Sequence, residues 1–201
     1  MPLTIETPQL LKDLRPLISI IGQEYNIDPM LLEAVAWQET MKMPEHVKNV
    51  REGLPAKSRK GARGMMQIMP NTAMKDYGVT VEELDEDPVA SLRIAAEELN
   101  RLNEAFGGNA RQILTAYNMG KEGLATSGAM TGGTKVFDEK GRAFYIGYDV
   151  DYNMLGKEAR EYGPHVFSYM AKIKAEQELE NAVSDSLFVG PQEEFVGPPN
   201  E

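Results

Sequence analysis

Cysteine is absent from the sequence, which excludes disulfides and thiolate metal sites and gives no sign of a small secreted scaffold held by cross-links. Histidine is almost as scarce. His46 and His165 stand far apart, so no imidazole cluster is expected and neither a metal nor a cofactor is predicted. Long apolar runs are also missing, and nothing approaches the roughly 18 consecutive apolar residues of a membrane span. The opening MPLTIETPQL has neither the basic segment nor the apolar core of a signal peptide, so the chain is expected to be made in the cytoplasm and to stay there initially. Aromatic residues make up only 7% of the chain, and none lies among the bases between Lys42 and Arg63. A basic stretch without stacking partners is a poor nucleic-acid surface, and no nucleic-acid partner is predicted.

What remains is the composition of an ordinary globular protein: 201 residues, 42% hydrophobic and 26% charged. The net charge of −10 is unevenly spread. Seven acids and no bases fall between Glu176 and Glu201, so the preceding part carries only −10 + 7 = −3. Seven bases (Lys42, Lys48, Arg51, Lys57, Arg59, Lys60, Arg63) face two acids in the segment 42–63. That segment reads as a solvated positive loop, unless it borders an anionic substrate. From Ser184 onward the chain is acidic, rich in Pro and Gly, and contains FVGP twice. The expected division is therefore a domain at 1–183 and a disordered tail at 184–201, its FVGP copies either accidental or a docking contact for another protein.

The stretch LLEAVAWQE, Leu31 to Glu39, has the strongest internal logic. Asp28 suits an N-cap and Pro29 the first helical position, so a helix starts here. Leu32, Val35, Ala36 and Glu39 follow the i, i+3, i+4, i+7 pattern of one face, which carries a carboxylate inward. Burial and the negative end of the helix dipole both disfavour its charged form, which is how a Glu is kept protonated for general-acid work. A solvated or paired Glu at the helix edge is the plainer alternative. Trp37, two residues earlier, faces elsewhere and is assigned to packing.

Along the chain, Leu10, Leu11, Leu14, Leu17, Ile18 and Ile21 mark a first helix that Pro16 could kink. The loop 41–63 is broken by Pro and Gly. A short helix follows Pro70 and ends at Gly78. Asp87-Pro88 opens a strong helix whose Leu92, Ala95, Ala96, Leu99, Leu102 and Phe106 keep the period until Gly107-Gly108. Asn109 caps another through Tyr117. KVFDEKGRAFYI reads as a hairpin turning at Asp138 to Gly141, and 157–183 as helix interrupted at Gly163-Pro164.

Four motifs recur in a telling order: Glu39-Thr40, then GMMQ at Gly64 to Gln67 followed by IMPNTA, then AYN at Ala116 to Asn118, then EAREY at Glu158 to Tyr162. Their succession and the helices between them, over roughly residues 15 to 172, resemble the soluble-type lytic transglycosylases. The resemblance implies a mainly α, lysozyme-like fold with a small β-hairpin. It also implies cleavage of the β-1,4 bond between N-acetylmuramic acid and N-acetylglucosamine in peptidoglycan, with closure of a 1,6-anhydro ring and no cofactor. Glu39 would be the catalytic acid and base. Thr40, Met65, Met66, Gln67, Tyr117, Asn118 and Tyr162 would line the substrate cleft, the two phenols near Glu39 and Gln67 offering its amide to an N-acetyl group. No second acid stands in a comparable motif, which suits a one-carboxyl route. Alternatives are a goose-type muramidase that hydrolyses, or a non-catalytic wall-binding domain.

Three departures from the family pattern stand out. Thr40 replaces the usual Ser, Met65 the usual Leu, and the loop 41–63 is longer than the common form. The wording AVAWQET, GMMQ, AYNMG is similar to transglycosylase domains of tailed-phage virion proteins. That implies packaging in a particle, action on the cell wall, and a virion protein as partner of the FVGP tail, the alternatives being a phage lysis enzyme or a cargo of a bacterial secretion machine.

Overall fold

The computed structural model describes residues 7–41, 49, 52, 56–137, 141 and 143–187. Helices α1 (Gln9–Glu24) and α2 (Pro29–Met41) begin the chain. A short turn of helix α3 (Pro70–Thr72) widens into a π-helical turn over Ala73–Tyr77, and α4 (Val81–Glu86) and α5 (Pro88–Ala105) follow. Then come α6 (Ala110–Met119), α7 (Lys121–Thr126), strands β1 (Met130–Phe137) and β2 (Ala143–Val150), a 3₁₀ turn at Tyr152–Met154 and α8 (Lys157–Leu187). This is the expected mainly α, lysozyme-like architecture with one small antiparallel sheet, paired from Met130 with Val150 to Phe137 with Ala143.

Helix α2 is the axis of the fold. It packs on α8, α1 and α5, and every residue from Leu32 to Trp37 is buried. A helix enclosed on all sides has no polar stripe, so the sequence reading of a single inward face understates how deeply α2 sits. Trp37 is fully buried and stacks on Tyr169 of α8, with ring centroids 4.6 Å apart. Asp28 accepts the backbone N–H of Met30 at 2.9 Å, as an N-cap should. Around this axis α1 contributes Leu11, Ile18 and Ile21, α5 contributes Leu92, Ala95, Ala96 and Leu99, and α6 contributes Ile113 and Leu114.

Four features differ from the sequence reading. Helix α8 is continuous through Gly163-Pro164, because its contacts with α2 and α6 outweigh the backbone hydrogen bond that proline removes. It also runs past Ser184 to Leu187, so the expected domain boundary falls inside a helix. Residues 188–201, with both FVGP copies, lie outside the described residues. Helix α4 was not anticipated. Its signal is the capping box Thr80-x-x-Glu83, where Thr80 Oγ1 accepts from Glu83 N and Glu83 Oε2 from Thr80 N. Finally, the described end of the basic loop is ordered by bridges of Arg63 with both Lys57 and Ile68, while Lys42, Lys48 and Arg51 lie outside the described residues.

Besides Glu39, α2 buries a second carboxylate, Glu33, at 2% exposure. Arg15 of α1 answers it, donating from Nε at 3.0 and 3.2 Å, and extends its other nitrogens to Glu176 and Glu180 of α8. Burial pushes the Glu33 carboxyl up and the guanidinium partly offsets this. Removing one partner of such a pair is more harmful than removing both. Arg15→Met should therefore lower the unfolding free energy by about 3 kcal/mol in urea titration, and adding Glu33→Leu should recover most of the loss. A single variant as stable as the parent would show that the pair contributes nothing.

Candidate active site

Glu39, the other carboxylate of α2, ends in a different environment. Glu39 sits in the last turn, 3% exposed, and lines a cavity of about 430 Å³ bounded by α3, α5, α6, α8 and the turn at 58–62. From α8, the Tyr162 hydroxyl donates to Glu39 Oε1 at 2.6 Å. The two residues are 123 positions apart, and the packing of α8 on α2 brings them together. Burial, and then the charge of Glu39, push the Tyr162 hydroxyl well above the ordinary tyrosine range, so it stays a proton donor at neutral pH.

The opposite wall is built on the Gly64–Ile68 turn. Arg63 and Ile68 exchange backbone hydrogen bonds at 2.8 and 2.9 Å, which closes the turn. Gly64 has φ +70°, and a Cβ there would lie 2.3 Å from the Leu84 carbonyl oxygen. Only glycine permits that approach. The close contact is therefore with the chain's own backbone and fixes the turn against the end of α4. Ser91 Oγ accepts the Met66 N–H at 3.0 Å and completes the anchorage.

Met65 and Met66 were expected as cleft wall, but their side chains are 1% and 0% exposed and belong to the hydrophobic core. The turn uses them as anchors, and the cavity is lined instead by Gln67, Ile68 and Met69. Gln67 adopts φ +51°, unusual for a residue with a side chain, and its Nε2 donates to the carbonyls of Gly64 (2.8 Å) and Ala56 (3.1 Å). Both amide protons are thus engaged by main-chain carbonyls. What its amide can offer a ligand is the oxygen, an acceptor for an N-acetyl N–H.

Thr40 is likewise corrected. At 1% exposure it is absent from the cavity wall, and its hydroxyl donates back to Ala36 O (2.9 Å) and Trp37 O (3.1 Å) of its own helix. Tyr117 and Asn118 do line the cavity, at the end of α6. The Tyr117 hydroxyl donates to the Met66 carbonyl at 3.2 Å, which ties α6 to the turn. Burial, then the charges of Glu39 and Glu98, hold it well above the ordinary tyrosine range.

Sequence reasoning overlooked Glu98. This carboxylate lines the cavity, accepting from Tyr77 Oη at 3.0 Å and from Arg101 at 2.9 Å. It lies three residues after Ala95 and four before Leu102 on the apolar face of α5, so the misplaced-carboxylate argument used for Glu39 would have found it. Asp76 and Glu158 are further acids on the wall. Among the described residues no group of three or more His, Asp or Glu side chains could hold a metal ion, and no helix is long and apolar enough to cross a membrane.

Residues 16–136 match the family model of the transglycosylase SLT domain. The match takes in Glu39, Gly64 to Gln67 and Ala116 to Asn118, and ends before Tyr162. No solved structure matches the chain.

The turn's dependence on Gly64 can be measured against an internal control. Gly64→Ala should lose about 3 kcal/mol of stability, from backbone strain plus the Leu84 contact. Gly61 also has positive φ, but a Cβ there meets nothing within 4 Å, so Gly61→Ala should lose only about 1 kcal/mol. Equal losses in urea unfolding would mean that the Leu84 contact is not what demands glycine at 64.

Proposed function

The chain belongs to the transglycosylase SLT domain family, lytic transglycosylases acting on peptidoglycan, and we propose that Glu39 is the single catalytic acid and base and that the product carries 1,6-anhydro-muramic acid. The observation that carries the reading is a carboxyl at 3% exposure facing a cavity, with a phenol donating to one of its oxygens. Protonated Glu39 gives its proton to the glycosidic oxygen as the bond to the muramic acid C1 breaks. The resulting carboxylate removes the proton from that sugar's 6-hydroxyl, whose oxygen attacks C1 and closes the ring. One proton leaves Glu39 and one returns, so no water is consumed and the enzyme is regenerated.

Tyr162 is a positioning residue in this scheme. Its hydroxyl holds Oε1 and stabilises the carboxylate formed midway. Tyr117 and Asn118 form the adjoining wall, and the Gln67 oxygen is available to an N-acetyl group. Proton transfer of this kind supplies on the order of 10²–10⁴ in rate, and positioning and charge stabilisation supply the rest. The second reading is a muramidase that activates water, favoured by Glu98 on the same wall. Against it, both Glu98 oxygens already accept hydrogen bonds from Tyr77 and Arg101. The likeness to tailed-phage virion domains supports local wall penetration by a phage particle as the biological setting. In that setting FVGP would contact another particle protein.

Mass spectrometry of digested peptidoglycan should show muropeptides lighter by one water than their reducing counterparts, and a majority of reducing ends would make the enzyme a hydrolase. Glu39→Gln should remove turnover by at least about 10³-fold at unchanged thermal stability. Full activity in that variant would send the search to Glu98. Tyr162→Phe should lower kcat by about 10- to 100-fold. Because phenol donation favours a carboxylate over its acid, the alkaline limb of the pH–rate profile should also move to higher pH. A purely structural Tyr162 would leave that limb in place.

A further inference from the structure

The charged residues of the cavity wall divide sharply. Four are acids: Glu39, Asp76, Glu98 and Glu158. The cations among the described lining residues are Arg59 and Lys60, neighbours at the tip of one turn. That turn is built rather than loose. Ser58 N–H donates to Ala62 O at 2.9 Å, Gly61 N–H to Ser58 O at 3.0 Å, and Ala62 N–H to Ser58 Oγ at 3.0 Å. Gly61, at φ +93°, makes the reversal possible. Its base is pinned where Arg63 bridges Lys57 and Ile68 and pairs with Asp85.

Arg59 and Lys60 are exposed, and among the described residues neither has an ion-pair partner. On a chain of net charge −10, such unspent cations beside an acid-lined cavity set where an anion can enter. An anionic substituent entering the cavity would be attracted at this one turn. Lys57, also exposed, is absent from the cavity wall.

We propose that Arg59 and Lys60 bind the carboxylates of the peptide stem on the muramic acid being cleaved, and so make the enzyme prefer peptide-bearing over peptide-free glycan. The inference rests on the transglycosylase reading of Glu39. In that reading the muramic acid reacts beside Glu39. Its lactyl group at C3, which carries the stem, must then leave through the wall of the same cavity. Two cations at one tip suit a stem with more than one carboxylate, Arg offering a planar fork and Lys a mobile point charge. The same chemistry would accept phosphate from a wall polymer, so the test must separate the two sources.

The experiment compares kcat/KM on glycan strands with stems intact and on strands stripped by an amidase, for the parent and for Arg59→Gln/Lys60→Gln. Expected is a preference for stem-bearing strands of about tenfold in the parent, carried by KM and reduced by added salt, falling to about twofold or less in the double variant. The charge-conserving pair Arg59→Lys/Lys60→Arg should retain most of it. A preference that persists in the Gln pair overturns the proposal. So does a parent preference that appears only on walls carrying phosphate polymer and disappears when the polymer is removed. A parent inert on both strand types would instead overturn the catalytic reading itself, which separates the two failures.

Discussion

Everything in this fold answers one constraint: α2 is buried on all sides yet carries two carboxylates. A helix enclosed by α1, α5 and α8 leaves no solvent to hydrate a charge, so each Glu must be met from a neighbouring element. Glu33 is met by Arg15, which also reaches Glu176 and Glu180 and so binds α1, α2 and α8 together. Glu39 is met by the Tyr162 hydroxyl and opens onto a cavity. A guanidinium brings a full positive charge that favours the carboxylate against its burial, whereas a phenol brings only a hydrogen bond. The same helix thus holds one carboxylate in an ion pair and one at a cavity wall, each met by a different kind of partner.

Much of this was legible in the residues. The helical period, the Asp28 and Asn109 caps and the hairpin were all visible locally, because each is decided by neighbours within one or two turns. Glu39 was found for a partly different reason from the one that buries it. The pattern suggested an amphipathic stripe, whereas α2 is enclosed, and the result coincides because both place position 39 inside. Trp37 shows the difference: assigned to another face, it is buried as deeply as the rest.

The misreadings share a cause. Thr40, Met65 and Met66 stand in motifs, and a motif marks a stretch of backbone without saying which side chains face the ligand. At Gly64 to Gln67 the methionines are anchors, and the residue reaching the cavity is the one in the left-handed conformation. Thr40 turns its hydroxyl onto its own helix. Pro164 was read as a break because local propensity says so, and contacts far away in the sequence overrule it. Glu98 escaped notice since no motif contains it, although its place on an apolar face carried the same signal as Glu39.

The distance along the chain between Glu39 and its phenol has a consequence for how the molecule is made. Helix α2 packs on α8, more than a hundred positions further along the chain, and Thr7 N–H also waits for Glu176, 169 positions away. A growing polypeptide therefore has its first two helices long before anything can cover their carboxylates or complete the cavity. Contacts of such separation close late and slowly. The cavity beside Glu39 is completed only once α8 has been made, and a chain that stops short of α8 lacks the phenol that meets this carboxyl.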